Sequence, residues 1–257
     1  HDGALPPQWG LSCAHRSARL ILAILQARLS STRLPGKVLL PLAGAPMLLR
    51  QIERVARARR IDQIVVATSV EPSDDRLAET VEAAGLAVHR GPLADVLARF
   101  VGTLEAWPAD HVVRLTGDCP LIDPGVIDKT IDLHLAEAAD YTHNRYDPSG
   151  YPKGQDVEVI SAEALRRSAR EDHSPEAREH VTWAVRNAPS RYRIARLDPP
   201  VDEGEVRWTV DTPDDYEFVR QVYDGLYLAN AAFSSDDVRA LVRARPELAT
   251  FGGERRL

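Results

Sequence analysis

The residues best suited to chemistry lie in one loop, 27–37, directly after an apolar run at 20–25. The loop contains three cations, Arg28, Arg33 and Lys37, together with three hydroxyl side chains and a glycine. Backbone N–H groups and hydroxyls can donate hydrogen bonds to phosphate oxygens while the cations neutralise their charge. The loop therefore indicates a polyphosphate site, although an ordinary solvated loop has a similar composition.

The loop differs from the two best-known phosphate-binding motifs. It lacks the G-x-x-x-x-G-K-[ST] spacing, so it is not a P-loop of the Walker type. It also lacks G-x-G-x-x-G, which argues against a Rossmann dinucleotide site.

Two acidic residues follow later apolar segments. Asp118 comes just after the run 111–115, and Asp211 comes after 206–210 and before a helix signal that starts at Pro213. Ligands of open α/β sheets bind outside the carboxyl ends of strands, and Mg²⁺ takes one or two carboxylates plus substrate phosphates. We therefore expect Asp118 and Asp211 to hold Mg²⁺. The alternative for Asp211 is a helix-capping role alone.

Composition limits the class of protein. The 257 residues, 44% of them hydrophobic and 27% charged, are typical of one large α/β domain or one domain with a smaller appendage. A net charge of −6 argues against a nucleic-acid partner. The two cysteines, Cys13 and Cys119, form no disulfide framework or zinc spacing, which predicts a reducing cytoplasm. No apolar segment reaches the roughly 18 residues that span a bilayer, so no membrane partner is expected.

The pattern predicts strands alternating with helices. Predicted strands at 20–25, 64–67, 87–88 and 111–115 alternate with predicted helices at 47–59, 75–84 and 96–106. This order predicts a three-layer α/β fold with a mainly parallel sheet. Further along the chain we predict helices at 127–138, 162–170, 175–187, 213–227 and 234–245, strands at 156–160, 192–195 and 206–210, and a loop at 141–154. Residues 1–19 are predicted to be a flexible extension, 20–230 the main domain, and 231–257 a C-terminal helix and tail.

Several motifs in fixed order resemble those of the cytidylyltransferases. They are Ala-Arg-x-x-Ser-x-Arg-Leu-Pro-Gly-Lys, then Val-Ala-Thr-Ser, then Arg-Gly-x-x-x-Asp-Val-Leu, then Thr-Gly-Asp-Cys-Pro-Leu-Ile-Asp-Pro. The family includes the acylneuraminate and 3-deoxy-manno-octulosonate enzymes, and the chain is most similar to the subgroup named after spore-coat polysaccharide biosynthesis protein F. The resemblance covers about residues 20–225. It implies a Rossmann-like nucleotide-diphospho-sugar transferase fold and a homodimer, with a small acceptor and dimerisation part near 140–200.

The resemblance also implies roles for individual residues in a Mg²⁺-dependent transfer of CMP from CTP to a sugar acid or similar small acceptor, with release of pyrophosphate. The CTP triphosphate would contact Arg28, Ser31, Arg33 and Lys37. The base and ribose would contact Thr68, Ser69, Arg90 and Asp95. Asp118 and Asp211 would bind the metal, and Asp118 would also belong to the nucleotide site. The catalytic residues would be these two acids together with Arg28 and Lys37. By this resemblance, the sialic acid enzymes have Asp-x-Asp at the late metal motif, and Thr209 stands here in place of the first aspartate. This difference makes the chain more similar to the octulosonate type.

The acceptor is expected against the loop 141–154 and the residues after it. Six polar residues there are candidates: Asn144, Arg145, Lys153, Gln155, Asp156 and Glu158. Arg145 or Lys153 would pair with a carboxylate or phosphate of the acceptor. The alternative is a solvated or dimer-contact loop. For His180 a structural or subunit-contact role is favoured over that of a general base.

Two other functions compete with nucleotidyl transfer. A glycosyltransferase that uses a nucleotide-sugar would typically show an Asp-x-Asp metal motif and lack the basic loop. A non-catalytic nucleotide-binding scaffold would be expected to have lost Lys37 or the two acids, and all three are present. The sequence therefore favours a cytidylyltransferase.

Overall fold

The computed structural model describes residues 19–144 and 150–257. Nine strands lie in these residues: β1 (Ile21–Gln26), β2 (Pro41–Leu42), β3 (Ala45–Pro46), β4 (Gln63–Ser69), β5 (Ala87–Gly91), β6 (His111–Thr116), β7 (Tyr141–His143), β8 (Glu158–Ser161) and β9 (Ile194–Arg196). The α-helices in the same ranges are α1 (Met47–Val55), α2 (Asp75–Ala83), α3 (Val96–Ala106), α4 (Pro124–Ala136), α5 (Ala162–Glu171), α6 (Pro175–Glu179), α7 (Trp183–Arg186), α8 (Pro213–Leu226) and α9 (Ser235–Ala244).

Seven of the strands form one sheet in the order β5-β4-β1-β6-β8-β7-β9. Strands β5, β4, β1 and β6 pair in parallel, and β7 pairs in parallel with β9. Within the described sheet, β8 alone runs antiparallel to its neighbours. The prediction of a mainly parallel α/β sheet is confirmed.

Both faces of the sheet are covered, which makes three layers. On β1, Ile21, Ala23 and Leu25 pack with α1, α2 and α4, while Leu22 and Ile24 point to the opposite face and pack with α3 and α5. Successive side chains of a strand point to opposite faces, so a strand buried on both sides is apolar at every position. A third apolar cluster joins α8 and α9 around a buried tryptophan.

The segment 206–210 does not form a strand, so that prediction was wrong. Its backbone bonds three different parts of the chain rather than one neighbouring strand. The N–H groups of Arg207, Trp208 and Val210 donate to the carbonyls of Arg255 (2.8 Å), Lys153 (2.7 Å) and Asp118 (2.8 Å) respectively. Its β-type pairing among the described residues is limited to one isolated parallel bridge, between Lys153 and Arg207.

Other boundaries differ from the predictions in ways that packing explains. The helix predicted at 175–187 is two helices, α6 and α7, because residues 181–182 turn inward. Val181 is buried in the core between them, and the Thr182 hydroxyl donates to the Glu158 carboxylate at 2.8 Å. The predicted loop 141–154 begins with strand β7. The predicted extension 1–19 lies outside the described residues except for Arg19.

No helix among the described residues is both long and apolar enough to cross a membrane.

A pair of histidines is buried at the end of the sheet opposite the loop after β1. His134 Nε2 lies 2.9 Å from His111 Nδ1, and His134 Nδ1 lies 2.9 Å from the Thr142 hydroxyl. Burial, reinforced by the neighbouring His111 and Arg19, lowers the pKa of His134 to about 3. Burial and Arg19 also lower the pKa of His111. Both rings are therefore held neutral in the folded protein.

We predict that His134 makes the fold sensitive to acid. A histidine with a lowered folded pKa binds its proton more readily in the unfolded chain, so its stabilisation is complete above pH 6.5 and decreases as the pH falls toward the folded value. From pH 6.5 to 5 this residue should remove about 1.5 kcal/mol from the free energy of unfolding. Denaturant titrations should show a smaller loss in His134→Gln. The exposed-histidine control His180→Gln should keep the wild-type loss, and equal losses in both variants would contradict the assignment.

Gly154 is required by a close approach of two backbones. Its φ is +106°, and a Cβ on it would lie 2.7 Å from the Thr209 nitrogen. We predict that Gly154→Ala lowers the free energy of unfolding by about 2–3 kcal/mol, because a positive φ and a backbone clash add. Gly253 has φ +77°, and a Cβ on it would have nothing within 4 Å, so Gly253→Ala isolates the cost of the φ angle, about 1 kcal/mol. Equal losses in thermal or urea unfolding would rule out the clash.

Candidate active site

One ammonium group joins three of the residues that the sequence singled out. After β1 the chain turns at Gly36 (φ +69°) into a short 3-10 helix that begins at Lys37. Lys37 Nζ donates to Asp118 Oδ2 at 3.1 Å and to Asp211 Oδ1 at 2.9 Å, residues 81 and 174 positions away in the sequence. It also donates to the Val210 carbonyl at 2.7 Å.

The two acids reach this point from different elements. Asp118 lies just beyond the carboxyl end of β6, and Asp211 just before α8. The backbone carbonyl of Asp118 accepts from the Thr209 hydroxyl at 3.2 Å, which adds to the bond from the Val210 N–H. Helix α8 is capped by Thr212, whose hydroxyl accepts from the Asp215 N–H. The cap of α8 is therefore Thr212, and the Asp211 side chain faces Lys37 instead.

The charges of this cluster stabilise one another. Burial works to raise the pKa of Asp211, but bonds to Lys37 and Arg207 and the nearby Arg33 outweigh it and lower that pKa. Burial likewise works to lower the pKa of Lys37, and the two carboxylates outweigh it and raise that pKa. Arg33 contributes a more exposed ion pair to Asp211 Oδ1 at 3.2 Å. Lys37 and Asp211 are therefore both charged at neutral pH.

Arg207 is a site residue that the sequence analysis missed. Its Nη2 donates to Asp211 Oδ2 at 2.9 Å, and its Nε and Nη2 donate to the two oxygens of Asp215 at 3.0 and 2.9 Å. These bonds, led by those to Asp215, raise its pKa. The signal was present: polar residues 207, 209 and 211 alternate with buried Val206, Trp208 and Val210, as on an extended segment with one face toward a site.

A cavity of about 290 Å³ opens beside the cluster. Its lining mixes three cations, three carboxylates, two hydroxyls and a thiol: Arg114, Thr116, Asp118, Cys119, Lys153, Asp156, Glu158, Arg207 and Thr209. The bridge between Lys153 and Arg207 makes these two cations neighbours on one wall. Such a lining suits a small, polar and charged ligand.

The predicted nucleotide residues lie along the same edge of the sheet. Thr68 and Ser69 end β4, and the Ser69 hydroxyl donates to buried Asp74. Asp74 in turn accepts from the Leu29 N–H at 2.7 Å, which ties the basic loop to β4. Arg28 in that loop is exposed, and the Ser31 hydroxyl accepts from the Leu34 N–H at 3.4 Å.

Arg90 and Asp95 border this region from β5 and α3. Arg90 donates to the Ser69 carbonyl at 2.9 Å and pairs with Asp75 at 2.7 Å. Asp95 caps α3 by accepting from the Ala98 N–H at 2.8 Å. Among the described residues, Thr68 Oγ1 and Arg99 Nε are buried polar atoms without a hydrogen-bond partner.

The predicted acceptor residues fall into two groups. Lys153, Asp156 and Glu158 line the cavity. Asn144 and Gln155 do not line it: they are buried, and their amides bond the backbone of Val157 (2.7 Å) and Asp123 (2.8 Å) respectively. These amides therefore bond to the backbone of neighbouring segments and do not face the cavity. Arg145 lies outside the described residues.

Glu158 is held firmly in the cavity wall. It is 4% exposed and accepts hydrogen bonds from Arg114, Tyr141 and Thr182. Its charge is therefore balanced by Arg114, and its oxygens are fixed in position.

Two other candidates for chemistry do not fit a catalytic role. His180 is exposed and does not line the cavity; its ring lies 6.1 Å from that of Trp183. Cys119 lines the cavity, but burial and the neighbouring Asp118 raise the pKa of its thiol, which disfavours the nucleophilic thiolate.

The acidic residues of the site bear on whether it could hold a metal. In the described ranges no group of three or more His, Cys, Asp or Glu side chains could hold a metal ion. Asp118 and Asp211 nevertheless converge on one cation, the Lys37 ammonium. Mg²⁺ needs only one or two protein carboxylates when substrate phosphates supply further ligands, so these residues fit it.

Comparison with known proteins identifies the family. A model of the cytidylyltransferase family matches residues 22–234. Spore coat polysaccharide biosynthesis protein SpsF of Bacillus subtilis is 36% identical over 240 residues, 90% of this chain and 97% of that protein. The 3-deoxy-manno-octulosonate cytidylyltransferase of Anaeromyxobacter dehalogenans is 34% identical over 79% of this chain and 97% of its own.

A solved structure shows the same fold. A cytidylyltransferase from Leptospira borgpetersenii superposes with a TM-score of 0.83 at 29% sequence identity, covering 89% of this chain and 95% of that one. The chain belongs to the cytidylyltransferase family and is a CTP-dependent nucleotidyltransferase.

Proposed function

We propose that this enzyme transfers CMP from CTP to a small acid such as a sugar acid, releases pyrophosphate and uses Mg²⁺. One observation carries the proposal: Lys37, Asp118 and Asp211 meet at the carboxyl edge of the sheet, beside a charged cavity of about 290 Å³. Family membership favours nucleotidyl transfer over the glycosyltransferase and the non-catalytic scaffold.

CTP would lie along the edge formed by the ends of β1, β4 and β5. The triphosphate would contact Arg28, Ser31, Arg33 and Lys37, and the base and ribose would contact Thr68, Ser69, Arg90 and Asp95. The exposed side chains of Arg28 and Arg33 in the loop after β1 support this position, because cations there can pair with phosphate oxygens.

Asp118 and Asp211 are the residues that would hold Mg²⁺, which supplies charge neutralisation on phosphate oxygens when bound. Lys37 would give up its hydrogen bonds to the two carboxylates and donate to the triphosphate instead. A hydroxyl oxygen of the acceptor would form a bond to the α-phosphorus and release its proton to water, while the bond from that phosphorus to the bridging oxygen of the β-phosphate would break and release pyrophosphate. Lys37 and Arg28 would balance the negative charge that moves onto the departing pyrophosphate.

The cavity supports an anionic acceptor that carries hydroxyls. Lys153 brings a positive charge to the wall beside Arg207, which favours an acid, and Asp156 in the same lining can accept hydrogen bonds from hydroxyls. One relative is named for 3-deoxy-manno-octulosonate, which is such an acid. Contacts from Asn144, Arg145 or Gln155, a cytoplasmic location and a homodimer formed through 140–200 stay predictions.

We predict that nucleotide binding is selective and depends on Lys37. Calorimetry with each of the four nucleoside triphosphates and Mg²⁺ should show preference for CTP. Lys37→Met should weaken CTP binding at least about tenfold, or about 1.4 kcal/mol, because it removes a charge from the triphosphate site. Asp118→Asn should lose the dependence of pyrophosphate release on Mg²⁺ and most of the release itself.

The matched control is Lys129→Met on the exposed face of α4, which should bind CTP as the wild type does. Pyrophosphate release is measured with sugar acids and with neutral sugars of similar size as acceptors. No binding of CTP, or equal binding of all four triphosphates, would overturn the proposed donor. Turnover with neutral sugars but not with acids would overturn the proposed acceptor class.

A further inference from the structure

The segment after α9 folds back onto the segment that carries Arg207 and Asp211. The Arg207 N–H donates to the Arg255 carbonyl at 2.8 Å, and the Trp208 indole N–H donates to the Arg256 carbonyl at 2.9 Å. Trp208 is fully buried, so this contact lies in the apolar cluster under α8 and α9. Residues 255–256 thus lie directly against one wall of the site.

Arg256 is the anchor of this contact. Its side chain is 0% exposed, and its Nη2 donates to Asp215 Oδ1 at 2.9 Å. Its Nη1 and Nε donate to the backbone carbonyls of Arg207 at 2.8 Å and of Phe251 at 3.1 Å. A buried charge is costly unless it is paired and hydrogen-bonded, and here the three donor nitrogens of the guanidinium all have acceptors.

Asp215 connects Arg256 to the residues of the site. Oδ1 accepts from Arg256 and from Arg207 Nε (3.0 Å), while Oδ2 accepts from Arg207 Nη2 (2.9 Å) and from the N–H groups of Asp211 and Thr212 (both 3.0 Å). One carboxylate therefore fixes the side chain of Arg207 and the backbone of Asp211. The two side-chain oxygens of Asp211 in turn accept hydrogen bonds, Oδ1 from Lys37 and Oδ2 from Arg207.

We propose that Arg256 is a positioning residue for nucleotidyl transfer, which acts through Asp215 to hold Arg207 and Asp211 in place. The proposal rests on the proposed function, since that function assigns Asp211 to the Mg²⁺ that would neutralise the phosphate oxygens. Nothing in the sequence motifs that carry the family resemblance points to this residue, because they end near residue 225.

Charge balance explains why the arginine matters. With Arg256 in place, two guanidinium groups share Asp215, and Arg207 can extend its Nη2 to Asp211 as well. Without it, the buried carboxylate keeps Arg207 as its sole side-chain cation among the residues described, and the Arg207 carbonyl loses its bond from Nη1. Arg207 is then drawn toward Asp215, and Asp211 loses the partner of its Oδ2.

The test compares Arg256→Met with Arg256→Lys and with the control Arg255→Met. Arg255 is the adjacent arginine, is exposed, and donates from Nε to the Leu257 carbonyl at 2.9 Å. Well below the melting temperature, we expect Arg256→Met to lower kcat about tenfold while KM for CTP stays within about twofold, because the base and triphosphate contacts are elsewhere. Arg256→Lys should keep about a third of the wild-type kcat, since an ammonium still pairs with Asp215.

A second readout does not need turnover. In nucleotide-free protein, hydrogen exchange at the Asp211 and Thr212 amides should be faster in Arg256→Met, and exchange in β1 should be unchanged. If Arg256→Met does not fold, Arg256→Lys carries the test, with kcat reduced about threefold and the same amides exposed. Unchanged kcat in the folded variant, or unchanged exchange at both amides, would overturn the positioning role.

The failures are distinguishable. If the wild type shows no pyrophosphate release with CTP and any acid acceptor, the proposed function fails, whereas the exchange measurement still tests whether Arg256 orders Asp211. If the wild type is active and Arg255→Met matches Arg256→Met in kcat and exchange, the proposed function stands and the role of Arg256 is overturned.

Discussion

The structure depends on one buried cation between two carboxylates. Lys37 is 9% exposed, so its charge has lost most of its hydration, and Asp118 and Asp211 replace that hydration at hydrogen-bond distance. Removing one partner of such a cluster leaves an uncompensated buried charge, which is far more costly than the pair is stabilising. The loop after β1, the end of β6 and the start of α8 must therefore meet at one point, and the remaining elements keep them there.

The sheet places two of the three groups, and irregular chain places the third. Strands β1 and β6 are adjacent and parallel, with Gln26 opposite Thr116, so the residues that follow both strands emerge at the same edge. Asp211 comes from the segment 206–211, which belongs to no strand and is fixed by bonds to residues near 118, 153 and 255. The basic loop and Asp118 are thus consequences of topology, while Asp211 and Arg207 depend on packing against several distant segments.

This difference decides what could be predicted from sequence. Helix α3 was predicted at its observed bounds, and strands β1, β4 and β6 were found within two residues, because these elements are largely buried and their apolar patterns are strong. The short strand β7 was missed, because it lies in the segment 141–154 that was predicted to be a loop. The segment 206–210 alternates like a strand, but its hydrogen bonds go to three partners, which a local pattern does not show. The break at His180 was missed because it is set by where Val181 and Thr182 are buried. Arg207 escaped notice because most arginines are solvated.

The long sequence separations within the charged cluster have a consequence for how the molecule folds. Its contacts span 81, 174 and, for Arg256 with Arg207, 49 residues. The parallel strands before residue 116 can pair while the chain is still being synthesised, whereas the cluster needs Asp211, and the contact of Arg256 with Asp215 needs nearly the whole chain. Contacts of such long range are slow to form because their loop entropy is lost before the contacts stabilise anything. The charged cluster is therefore expected to close late in folding, after the strands that lead to Lys37 and Asp118 have paired.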